Sequence, residues 1–110
     1  MADFNINTDL KVGTGVTYSI NGDSYPYYVV GWKKNKNGIV TQVDLTEATA
    51  YCKDWYANDW HVEPFDPSAD NPVVMSLYKT RKNTYTASGR VEHYGCYHFD
   101  YVHASRDPSF

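Results

Sequence analysis

The sequence predicts a mainly β protein: a small curled antiparallel sheet or an SH3-like barrel, with about six strands and at most one short helix. Three observations predict it. Aromatic residues make up 16% of the chain, with 11 Tyr and 3 Trp, and such side chains fit half-buried pleated surfaces. Apolar and polar residues alternate with period two over several short stretches. Asn-Gly dipeptides at Asn21-Gly22 and Asn37-Gly38 separate two pairs of these stretches, and Asn-Gly readily supplies the positive φ of tight hairpins. A chain of 110 residues is one domain, 1–110, on the usual size prior.

The first strand is expected within Asp9 to Ile20, where Val16, Tyr18 and Ile20 alternate with polar residues. After Asn21-Gly22-Asp23, the stretch Ser24 to Trp32 is the strongest strand candidate, with Pro26 near its start, where a missing amide donor is tolerated. Lys33-Lys34-Asn35-Lys36-Asn37-Gly38 is a charged turn, and Ile39 to Leu45 returns as the partner strand. Two successive hairpins make a meander.

Thr46 to Trp60 reads two ways. Thr46 and Glu47 cap a short helix in one reading, with Ala48, Tyr51, Cys52 and Trp55 at helical spacing; in the other the segment is an irregular excursion on the sheet face. The helix is favoured. His61 to Phe65 reads as a short edge strand and Asp66 to Pro72 as a surface loop. Val73 to Tyr78 and Asn83 to Ala87 form a hairpin around Lys79 to Lys82. Arg90 to His103 alternates as one last strand, with Val91, His93, Tyr97, Phe99, Tyr101 and His103 on one face.

The formal net charge of −3 disfavours a chain-wide attraction to nucleic acid or anionic membrane. No apolar run approaches the roughly 18–20 residues of a membrane span, and MADFNINTDL lacks the features of a signal peptide. Cys52 and Cys96 are expected as two reduced thiols rather than a bridge. The densest set of metal donors is His93, Cys96, His98 and His103. On one strand His93 and His103 lie about ten residues apart at roughly 3.3 Å each, too far to share an ion, so no metal or cofactor is expected. Cys96 with His98 is too widely spaced for direct proton transfer. No nucleophile elbow, phosphate-cradling glycine loop or HExxH sequence occurs. Binding rather than catalysis is the expectation.

Two basic clusters carry the functional reading. Lys33, Lys34 and Lys36 occupy one turn, and Lys79, Arg81 and Lys82 another. Charged turns keep β edges soluble. The sharper reading places both at one end of the fold as an anion-binding rim. With Trp32, Tyr27 or Tyr78 beside them, cations would take phosphate and rings would stack a base.

The run Ser24-Tyr25-Pro26-Tyr27-Tyr28-Val29-Val30, then Ile39-Val40-Thr41-Gln42-Val43-Asp44, resembles small proteins encoded by tailed bacteriophages and prophages. Val62-Glu63-Pro64, Leu77 to Asn83 and Arg106-Asp107-Pro108-Ser109-Phe110 extend the likeness over most of the chain. It implies a viral protein acting in the host cytoplasm, and carries no established activity or site residues.

The expected function is therefore a phage-encoded binding protein that counters host defence by sequestering a small nucleotide signal. Lys34, Lys36, Arg81 and Arg106 would hold phosphate, and Tyr27 and Trp32 would offer stacking faces. A barrel this small has little interior room, so the site is expected between copies of a homo-oligomer. The alternatives are a protein–protein inhibitor of a host defence factor or a virion accessory protein, and, third, a nucleic-acid-binding SH3- or OB-like module.

Overall fold

In the computed structural model, residues 4–79, the backbone of 84–85 and 90–92, and residues 96–106 are described. The chain forms β1 (Gly15–Ile20), β2 (Asp23–Lys34), β3 (Val40–Glu47), β4 (Ala50–Asp54), β5 (Asp59–Val62), β6 (Met75–Tyr78), β7 (Thr84–Tyr85), β8 (Arg90–Glu92) and β9 (Cys96–Phe99). Seven strands make one sheet in the order β6-β3-β2-β1-β9-β8-β7, and β4 with β5 makes a second. All pairings are antiparallel.

Both expected hairpins of the meander form. Asn21 and Gly22 take φ of 51° and 85°, the paired positive values of a type I′ turn, and Ile20 faces Asp23 across it. At the second turn Asn35 Oδ1 accepts the amides of Asn37 and Ile39. Gly38 ends that turn at φ 78°, a conformation glycine enters without a Cβ penalty.

The sheet is strongly curled. Laid flat, six inter-strand spacings of about 4.8 Å would separate β6 from β7 by roughly 29 Å. Tyr78 and Thr84 are six residues apart in the chain, a reach of at most roughly 22 Å at about 3.6 Å per residue. A direct contact agrees: the Tyr97 hydroxyl on β9 donates to Met75 Sδ on β6 at 2.7 Å, four strands away in the sheet order. The sheet is not closed, since β6 and β7 are not neighbours in that order. Of the two expected shapes, the curled open sheet is the one present.

The concave side holds the core. Val16, Val29, Val43, Leu45, Leu77, Tyr97 and Phe99 are buried there, with Tyr18, Tyr27, Trp32 and Met75 packed against them. A β-bulge between Val29 and Gly31 explains how Trp32 joins Tyr27 and Val29 on this side. One extra residue inverts the alternation, so Val29 faces Leu45 and Trp32 faces Val43. The N-terminal segment completes the core. Ile6 and Leu10 are buried, Phe4 stacks on Phe99 at 5.9 Å, and Asn7 Oδ1 accepts the amide of Val40 at 2.9 Å.

Four expectations are corrected. Thr46 to Trp60 holds no helix: β3 runs to Glu47, and the rest is the β4–β5 hairpin. Its aromatics make alternating strand contacts, with Tyr51 opposite His61 and Cys52 opposite Trp60. The expected strand at His61 is the end of β5, which stops at Val62. Val73 to Ala87 is not a paired hairpin, because β6 bonds to β3 and β7 to β8. Arg90 to His103 is not one strand but the antiparallel pair β8 and β9. Its alternation still tells the inward face correctly at Tyr97 and Phe99, because a reversal that preserves parity leaves the same residues inside. No disulfide joins Cys52 and Cys96.

Candidate functional site

The meander puts its two ends far apart. Lys34 lies at one end of β2 and faces Val40, the first residue of β3. Lys33, Lys34 and Lys36 are exposed there. Lys79 joins them, because its amide donates to Thr41 O at 2.9 Å and Thr41 Oγ1 donates to Lys33 O at 3.4 Å. Tyr78, exposed on β6, is beside this group and opposite Gln42. Arg81 and Lys82 lie outside the described residues. The lysine end therefore spans three adjacent strands, and Trp32, partly buried, packs against the core.

Arg106 sits at the opposite end. Ser105 bridges to Ser24, next to the first residue of β2, about ten strand residues, or roughly 33 Å, from Lys34. It does not join the lysines. Its guanidinium instead lies 4.0 Å from the Tyr25 ring centre and 5.0 Å from that of Trp60. Nη1 donates to Ser24 O and Ser105 O, each at 2.9 Å. The Arg106 amide donates to Asn58 Oδ1 at 3.3 Å, and Trp60 Nε1 donates to the same oxygen at 2.8 Å. Nη2 and Nε have no partner among the described residues, and no carboxylate there pairs with Arg106. A guanidinium held by two carbonyls and two rings is oriented, and its other edge presents donors in the fork geometry that suits phosphate or carboxylate.

A cavity of about 100 Å³ opens at this point, lined by Tyr25, Pro26, Tyr27, Glu47, Ala48, Ala50, Trp60 and Arg106. Of the expected site residues it gathers Tyr27 and Arg106, and it leaves Trp32, Lys34 and Lys36 elsewhere. The Tyr27 hydroxyl has its pKa raised, first by burial, then by the Glu47 carboxylate and the neighbouring tyrosines, with Arg106 opposing. Tyr27 is therefore a neutral hydroxyl, able to donate and accept, between a carboxylate and a guanidinium. Trp55 extends the aromatic wall, with its ring 6.4 Å from Trp60 and nearly edge-on.

Tyr25, Glu47, Trp55 and Trp60 escape the sequence reading. Their signal is the Trp55…Trp60 spacing around Asn58-Asp59. Asn58 takes φ 51°, so the segment reverses and brings the two indoles to one face. A helical reading of the same residues conceals this. Among the described residues, no three His, Cys, Asp or Glu side chains converge to hold a metal ion, and no helix is long and apolar enough to cross a membrane. The chain matches no family model, and no curated protein or solved structure matches it.

Proposed function

We propose that this protein acts by binding, not catalysis, and that its ligand is a small nucleotide held at Arg106, Trp60 and Trp55. The observation that carries the reading is the guanidinium held by two carbonyls over the Trp60 indole, which the Trp55 ring meets edge-on. Phosphate takes the Nη2–Nε edge. The cavity is too small for a base, so the base lies outside, on the half-exposed face of Trp55, where stacking contributes about 1–3 kcal/mol per base. Glu47 and the Tyr27 hydroxyl accept from ribose hydroxyls or an exocyclic amine, which distinguishes a nucleotide from bare phosphate. A second copy covers what so shallow a site leaves open, so self-association belongs to this reading. The phage resemblance supplies the setting: sequestration of a host defence signal in the host cytoplasm.

Titration calorimetry against cyclic nucleotides and ADP-ribose derivatives tests the proposal. One member of the panel binds the wild type, Arg106→Gln weakens it at least about tenfold, and Trp55→Ala weakens it by a comparable factor. Silence across the panel, or binding that ignores Arg106→Gln, overturns it. A steep fall of affinity for oligonucleotides with salt would point instead to the nucleic-acid module.

A second reading rests on Tyr56, which is 99% exposed at the tip of the β4–β5 hairpin. Tyr and Trp are the residues most enriched in binding hot spots. In this reading the hairpin docks on a host defence protein or another virion component. A partner retained by wild type from host lysate and lost from Tyr56→Ala supports it; equal retention removes it.

A further inference from the structure

The charges of this chain are segregated along the sequence and, through the meander, in space. From Asp54 to Tyr78 there are five carboxylates (Asp54, Asp59, Glu63, Asp66 and Asp70) and no Lys or Arg. From Lys33 to Val43 there are three lysines and no carboxylate. The fold puts the lysines at one end of β2 and β3, and Glu63, Asp66 and Asp70 beside Glu47 at the other. Lys34 faces Val40 at the start of β3, while Glu47 ends β3, seven residues or roughly 23 Å further on.

Each end also has a shape. The positive end is a narrow projection, the turn Asn35–Gly38, pinned by Asn35 through two backbone amides and flanked by Lys33, Lys34, Lys36 and Lys79. The negative end is a groove of about 480 Å³ lined by the apolar Tyr28, Phe65 and Val74 and by the carboxylates Glu47, Glu63, Asp66 and Asp70. The lining is firm: Tyr28 OH donates to Glu63 O at 2.7 Å, and the Tyr28 and Phe65 rings meet at 5.5 Å. Asp66 keeps its charge, since the amide and hydroxyl of Ser68 both donate to its Oδ1 and hold its carboxyl below the usual range. A projection carrying lysines and a groove lined with carboxylates are complementary in both form and sign.

We propose that copies of this chain associate head to tail, with the lysine-bearing β2–β3 turn of one copy seated in the acid-lined groove of the next. The occupant is a second copy because the molecule itself carries the matching surface, with the charge that steers one end onto the other. The two surfaces are different and lie at opposite ends of the strands, so the contact is heterologous. Such contacts propagate into an open chain unless a rotation closes a ring. The proposal rests on the premise above that copies associate, and of the residues it names Glu47 alone is shared with the ligand site.

Sedimentation or light scattering across protein concentration, in about 0.01 M and about 1 M salt, tests it; exposed charges reach about 30 Å in the first and about 3 Å in the second. Molar mass rises with concentration in low salt and stays monomeric in high salt. Lys34→Glu with Lys36→Glu is monomeric in both, as is Glu63→Lys with Asp70→Lys. Mixing these two variants restores association in low salt, because each then presents the charge the other has lost. All four side chains are exposed, and a thermal melt confirms each variant folded. A wild type that is monomeric in low salt, a lysine variant that associates like wild type, or a mixture that stays dissociated overturns the proposal. Calorimetry on the same variants keeps the nucleotide reading separate, since neither pair includes Arg106, Trp60 or Trp55.

Discussion

The two hairpins β1–β2 and β4–β5 are built alike but use their aromatic residues differently. Each is an antiparallel pair rich in tyrosine or tryptophan, and each turns through an asparagine of positive φ. In the first, Tyr18 stacks on Tyr97 at 4.5 Å within the curl of the sheet. In the second, Tyr51 and Trp55 are each half exposed and Tyr56 is almost entirely so. An aromatic residue therefore stabilises this fold only where curvature gives it a second wall. Where no wall faces it, the same residue type is free to meet something else.

The contrast breaks most clearly under truncation. Leu45 is fully buried on β3, and Leu45→Ala removes side-chain volume that neighbouring strands cannot refill. Urea unfolding should show a loss of about 2–5 kcal/mol; a shift like that of a surface substitution would mean the curled side is not a packed core.

An intermediate effect separates the two regions by pH. Burial, then the neighbouring Tyr27 and Tyr18, holds the Tyr97 hydroxyl well above the ordinary tyrosine value of 10.0. Burial also raises Tyr27 and Tyr28. The folded chain keeps these protons at a pH where the unfolded chain has released them, so the unfolded state binds fewer protons. Stability is then complete below pH 10.0 and falls as the pH rises above it. Denaturant midpoints measured from pH 8 upward should decline, and Tyr97→Phe should make the decline shallower. An unchanged slope would place Tyr97 outside the set responsible.

The smallest effect is expected in the outer hairpin. Trp55→Ala and Tyr56→Ala should each change stability by less than about 0.5 kcal/mol, while Trp55→Ala impairs ligand binding. A larger destabilisation would show that these rings hold the hairpin to the sheet and are not free surface.

The elements that local chemistry specifies were legible in advance. Asn21-Gly22 and Asn37-Gly38 named their turns, and alternation marked the inward residues Val16 and Tyr18 of β1 and Tyr97 and Phe99 of β9. The Trp55 region was not legible, because Ala48, Tyr51, Cys52 and Trp55 fit a helical period as well as a strand that packs on little. Periodicity reports which side is buried, and a segment exposed on most sides gives no such report. The break between β8 and β9 was signalled only by Gly95 within an otherwise regular alternation. The candidate site was half visible. Tyr27 and Arg106 were marked by residue type, but Lys34 and Lys36 were grouped with Arg106 from charge alone, and charge carries no information about which end of a strand a residue occupies.

By itself the sequence determined a mainly β fold, its first two hairpins and the segregation of its charges along the chain, since each depends on neighbours a few residues away. Only the tertiary structure decided that the sheet curls until Tyr97 reaches Met75, that a bulge turns Trp32 inward, and that Arg106 lies between Tyr25 and Trp60. Those facts depend on contacts between residues 11 to 81 positions apart in the chain, where packing between separate elements, and no local preference, selects the partner.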